Sequence, residues 1–128
     1  MVTIELTNEN ISGEPGPNFY WRGTPEDFLR LIQDLHKLGK DHGETVSAKD
    51  LDYVEVLDGY SVELKSDKGS NKICDVRNKA IDVNIDRKVW QRLLSIFLSI
   101  SFYPSHDYID FEDLDLLEDA NFIVSSES

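Results

Sequence analysis

The sequence predicts an α+β domain: a single antiparallel, meandering sheet of about five to seven strands, with two main helices packed on one of its faces. Three observations lead there. A capped run of helical spacing follows Gly23, and a second apolar run stops at Pro104. Between them, strand-like segments flank Asp58-Gly59 and Asn78-Lys79, which read as tight turns. The chain has 128 residues, a common size for one domain, and holds no internal repeat or low-complexity tract. Residues 1–128 are therefore read as one unit.

Val2 to Thr7 alternates Val2, Ile4 and Leu6 against Thr3, Glu5 and Thr7, the pattern of a half-buried strand. Gly13, Pro15, Gly16 and Pro17 make the next stretch a loop. Phe19 to Arg22 is a short aromatic strand in which Tyr20 points away from Phe19 and Trp21. The helix that follows is written in full. Thr24 caps it, Pro25 suits its first position, and Glu26 and Asp27 favour the positive end of its dipole. Phe28, Leu31, Ile32, Leu35 and Leu38 share one face, and Gly39 is expected to close the helix.

Lys40 to Lys49 reads as a polar connection. Leu51 to Leu57 and Tyr60 to Ser66 are expected to pair as a hairpin, with Leu57, Glu55 and Tyr53 facing Tyr60, Val62 and Leu64. A second hairpin joins Lys72–Arg77 to Ala80–Ile85, setting Val76 opposite Ile81, Cys74 opposite Val83 and Asp75 opposite Asp82. Asp86 caps a second helix whose apolar residues, from Val89 to Ile100, cover most of its circumference and predict deep burial on all sides. In the tail, Tyr108 to Phe111 is expected as a short strand, Glu112 to Ala120 as an acidic helical turn, and Phe122 to Val124 as a final strand. Ser125 to Ser128 are expected to fray.

Composition narrows the function. The net charge of −12, from 25 acidic and 13 basic residues, opposes nucleic-acid binding, which depends on Lys and Arg neutralising phosphates. It equally opposes anionic membranes and favours a basic protein partner. Cys74 is the only cysteine, so no intramolecular disulfide can form, and a reducing, cytoplasmic setting is expected. The first residues lack the basic start and apolar run of a signal peptide, and Val89 to Tyr103 is too short and too interrupted to span a bilayer.

No cofactor or metal is expected. His36, His42 and His106 match no ligand spacing, and a lone cysteine cannot build a thiolate cluster. The Asp75 and Asp82 pair is a minor candidate for a raised pKa or a bound cation. No nucleophile elbow or phosphate loop is present. The densest feature is the tail, where Asp107, Asp110, Glu112, Asp113, Asp115, Glu118 and Asp119 interleave with Tyr108, Ile109, Phe111, Leu114, Leu116 and Leu117. Without a glycine it does not fit a calcium loop. It is read as the candidate partner patch.

The stretch Phe19-Tyr20-Trp21-Arg22-Gly23-Thr24-Pro25-Glu26-Asp27-Phe28-Leu29 resembles a strand, glycine and capped-helix unit of small bacterial immunity proteins from polymorphic-toxin systems. The resemblance covers about twenty residues plus general character. It implies a compact, acidic α+β protein of the cytoplasm that neutralises a toxin domain, and it transfers no individual contact residue.

The expected function is non-catalytic binding of a basic protein, in the manner of an inhibitor. A structural homodimer, formed through the second helix or the outward valines Val54 and Val56, is the alternative. A small enzyme or ligand binder with a cleft lined by His36, His106 or the Asp75 and Asp82 pair ranks behind both.

Overall fold

The structure is a computed structural model that describes residues 1–11, 13–69, 71–102, 106–109, 115–116 and 121–126; for residues 71–77, 106–109, 115–116 and 121 the description is of the backbone. The chain is α+β, as expected, but its strands form two mixed sheets in place of one antiparallel meander. The strands are β1 (Val2–Thr7), β2 (Asn18–Gly23), β3 (Thr45–Ser47), β4 (Val54–Val56), β5 (Ser61–Ser66), β6 (Asn71–Arg77), β7 (Ala80–Ile85), β8 (His106–Ile109), β9 (Asp115–Leu116) and β10 (Asn121–Ser126). The helices are α1 (Pro25–Lys40) and α2 (Arg87–Phe102), and a short 3-10 turn spans Ala48–Asp50. The first sheet has the order β4-β1-β2-β10-β8 and the second β3-β5-β7-β6-β9.

The expected hairpin around Asp58-Gly59 forms its turn but not its ladder. Asp58 and Gly59 both take positive φ (62° and 74°), and the Tyr60 N–H reaches the Leu57 carbonyl at 3.3 Å. Yet β4 pairs in parallel with β1, Val2 opposite Val54 and Ile4 opposite Val56, while β5 lies between β3 and β7. The turn thus hands the chain from one sheet to the other. Side-chain parity explains it. The hairpin register would have placed Glu55 inward beside Val62 and Leu64. Splitting the strands lets Val62 and Leu64 bury, lets Val54 and Val56 pack against the core, and leaves Glu55 exposed. The two valines, expected to point outward, are half-buried against the core.

The β6–β7 hairpin is present. Asn78 and Lys79 have positive φ (51° and 63°), and Val76 and Asp75 stand opposite Ile81 and Asp82. A register shift between Lys72 and Asp75 displaces the expected pairing of Cys74 with Val83.

The α1 cap is a reciprocal box. The Asp27 N–H donates to Thr24 Oγ1 (3.2 Å) and the Thr24 N–H to Asp27 Oδ2 (3.4 Å). Gly39 does not close the helix, which runs on to Lys40. It is instead a packing residue: a Cβ there would lie 3.1 Å from Gln91 Cγ and 3.5 Å from Leu94 Cδ1 on α2. The two helices run antiparallel, since the end of α1 meets the start of α2 at Gly39 and Gln91, while Phe28 near the start of α1 meets Phe97.

Helix α2 buries one stripe, Trp90, Leu93, Phe97 and Ile100, and not its whole circumference. Leu98 (43% exposed) and Phe102 (70%) face outward. Trp21 stacks on Phe97 at 5.8 Å between centroids and meets Phe122 at 5.5 Å, joining the first sheet to the helices. Inward residues of both sheets and both helices form one core. Tyr20 and Ile123, neighbours across β2 and β10, are buried but lie outside that core cluster.

The tail departs from expectation at its end. Ser125 and Ser126 are buried in β10, and Ser126 Oγ donates to the Ile100 carbonyl at 2.6 Å, so they do not fray. A strand is present at His106–Ile109, two residues before the expected start. Within the expected helical turn, Asp115 and Leu116 are extended. The remainder of that turn lies outside the described residues.

Candidate functional sites

Of the acid-rich patch, Asp107 and Asp115 have described backbones, and they belong to different sheets. Asp107 sits on β8, the edge strand of the first sheet, opposite Val124. Asp115 sits on β9, the edge strand of the second, opposite Lys72. Asp110, Glu112, Asp113, Glu118 and Asp119 lie outside the described residues. The segment therefore links the outer edges of the two sheets.

Charge is segregated by element. The two helices carry six basic residues, Arg30, Lys37, Lys40, Arg87, Lys88 and Arg92, against Glu26, Asp27 and Asp34. The rest of the chain carries seven basic and 22 acidic residues. Sequence composition alone concealed this polarity because it averages over the whole chain.

A cleft of about 510 Å³ opens between α1 and the edge strand β3. Asp34 and Lys37 line it from α1, Thr45, Val46 and Ser47 from β3, Lys49, Asp50 and Leu51 from the 3-10 turn and its exit, and Glu63 from β5. Its carboxylates are partly engaged. Ser47 Oγ donates to Glu63 at 2.7 Å, and the Tyr53 hydroxyl donates to Asp34 at 2.6 Å. Lys37 lies 3.7 Å from Glu44. Burial of the ring, reinforced by Asp34, holds the Tyr53 hydroxyl well above the usual phenol range, with Arg30 opposing. These residues come from four separate elements, so no local pattern announced the cleft. Neither His36 nor Asp82 is among its described walls, and the side chains of His106 and Asp75 lie outside the described residues.

His36 is exposed on α1. His42 is tied into the fold: its Nε2 lies 3.3 Å from Asp86 Oδ2. Asp86 also accepts the Lys88 N–H (2.9 Å) at the head of α2 and the Gly69 N–H (3.1 Å) from the β5–β6 turn. Those backbone donors, and then His42, hold the Asp86 carboxyl down at about 2. The pair is a lock between three loops, with no hydroxyl or thiol nucleophile hydrogen-bonded to the imidazole among the described residues. Asp75 and Asp82 do stand opposite each other, and Glu63 flanks Asp82 on its other side. Among the described residues no group of three or more metal-ligating side chains converges, and no helix is long and apolar enough to cross a membrane.

No family model, curated protein or solved structure matches this chain.

Proposed function

We propose that this protein is a non-catalytic binding domain of inhibitor or immunity type, acting on a basic protein partner from the bacterial cytoplasm. The supporting observation is the placement of the acid-rich segment. Its Asp107 and Asp115 sit on the edge strands of the two sheets, and the segment holds seven of the 25 acidic residues. Edge strands offer unpaired backbone groups, and carboxylates beside them attract a cationic surface over long range. Asp107, Asp110, Glu112, Asp113, Asp115, Glu118 and Asp119 form the contact surface in this reading.

The test is affinity purification from the native host at low salt, with the wild-type chain and with an Asp107→Lys, Asp115→Lys variant as parallel baits. A basic protein retained by the wild type and lost from the variant supports the reading. Equal retention by both baits removes the segment as the interface.

A further inference from the structure

Strand β3 lies at the edge of the second sheet and pairs with β5 on one side only. Its side chains divide between the two faces of that sheet. Val46, opposite Leu64, is buried in the core, while Thr45 and Ser47 point the other way, with Ser47 opposite Glu63. The cleft of about 510 Å³ touches α1 and Val46 on one face and Ser47 and Glu63 on the other. It therefore passes along the open edge of β3, with Asp34 and Lys37 of α1 as its far wall. The antiparallel ladder sets which backbone groups look into it. The Ser66 N–H donates to the Glu44 carbonyl at 3.0 Å, so Glu44 and, two residues on, Val46 turn their backbone groups toward β5. Thr45 and Ser47 turn theirs outward. Ser47 heads the 3-10 turn and its carbonyl serves that turn, which leaves the Thr45 N–H, the Thr45 carbonyl and the Ser47 N–H along the edge.

We propose that this edge takes an extended, cationic peptide segment of another protein as an added strand, lying between β3 and α1. Two observations select that occupant. The outward backbone groups, donor and acceptor on Thr45 and donor on Ser47, follow the two-residue repeat that an extended peptide backbone complements. The side chains around them select the charge. Lys37 is engaged with Glu44 at 3.7 Å, which leaves Asp34, Asp50 and Glu63 against Lys49. Asp34 and Glu63 are already oriented by hydroxyl donors, Tyr53 and Ser47, and each carboxylate keeps further acceptor positions for a lysine or arginine of the peptide. A second copy of this chain fits worse, because it would bring the same carboxylates and a further net charge of −12 to the edge. Asp115 sits on β9, at the opposite edge of the same sheet. The site is thus separate from the acid-rich segment and stands or falls separately from the function proposed above.

Amide NMR titration of the full chain with the end-capped peptide Lys-Thr-Lys-Thr-Lys tests it. The Thr45 and Ser47 amide resonances should shift, and their hydrogen exchange should slow about fivefold or more, as each N–H gains a partner. The same sequence N-methylated at every residue keeps its charge but cannot join a ladder, and it should bind about fivefold more weakly or worse. Glu-Thr-Glu-Thr-Glu should leave both amides in place. Asp50→Asn combined with Glu63→Gln should weaken binding about threefold or more by removing two charge pairs. Far-UV circular dichroism should not change, because glutamine still accepts the Ser47 hydroxyl. The Asp107→Lys, Asp115→Lys variant should bind the peptide as the wild type does. Four outcomes overturn the proposal: Thr45 and Ser47 amides that stay in place while others shift, equal binding of the N-methylated peptide, loss of binding in the Asp107→Lys, Asp115→Lys variant, or movement of both amides with protein concentration alone, which would assign the edge to a second copy.

Discussion

The Tyr53 hydroxyl donates to the Asp34 carboxylate at 2.6 Å, while the Arg30 guanidinium lies 4.1 Å from the centre of the same ring. One buried tyrosine thereby fastens the segment after the 3-10 turn to α1 and fixes one wall of the cleft. Tyr53→Phe should cost about 1–2 kcal/mol, the worth of a hydrogen bond to a charged acceptor, measurable by urea unfolding. The folded-state pKa of Tyr53 lies above its unfolded value, so its contribution is present below about pH 10 and declines as pH rises past that point. Tyr53→Phe should flatten that alkaline decline.

Asp86 makes the opposite prediction for acid. Its folded pKa of about 2 lies below the ordinary 3.8, so its stabilising effect is complete above about pH 4 and disappears as pH falls toward 2. Asp86→Ala removes the cap of α2 and the contacts to Gly69 and His42 together. The variant should melt at a lower temperature at neutral pH and lose less between pH 4 and pH 2 than the wild type. Thermal melts across that range read the difference directly.

The two tryptophans should respond unequally to the same change. Trp90 Nε1 donates to the Lys65 carbonyl at 2.8 Å, tying α2 to β5. Trp21 Nε1 is buried and has no hydrogen-bond partner among the described residues. Replacement by Phe leaves a similar void at either site, but Trp90→Phe also removes a hydrogen bond between α2 and β5. Trp90→Phe should therefore be the more destabilising by about 1 kcal/mol in chemical denaturation.

Gly16 and Gly39 separate two reasons for glycine. A Cβ on Gly16 would fall 2.5 Å from the backbone of Asn8, which cannot withdraw without dismantling the loop. Gly16→Ala should cost about 1–3 kcal/mol through overpacking. At Gly39 the closest atom is Cγ of the flexible Gln91 side chain, 3.1 Å away, and the position is inside a helix. Alanine's helix preference, worth roughly 0.5–1 kcal/mol, offsets that contact, so Gly39→Ala should lie near zero. Equilibrium unfolding of both variants checks the contrast.

The acid-rich segment was legible as composition, because Asp107 to Asp119 is dense in acids wherever it folds. Its division between the edges of two sheets was not, since strand order depends on contacts tens of residues apart. The cleft was illegible for the same reason: Asp34, Lys49 and Glu63 are unremarkable until α1, the 3-10 turn and β5 converge.

Local chemistry was enough to determine the Thr24 and Asp86 caps, the positive-φ turns at Asp58-Gly59 and Asn78-Lys79, and the alternation of β1 and β5, because each depends on groups within about four residues. Which strands join was decided by the tertiary structure. A backbone N–H or carbonyl pairs equally well with any strand, so the choice falls to the arrangement that buries the apolar faces of both sheets together. That condition moved β4 to β1, ran β5 parallel to β7, and set β10 beside β2. It also kept α1 helical through Gly39, where packing on Gln91 and Leu94 outweighs the tendency of glycine to end a helix.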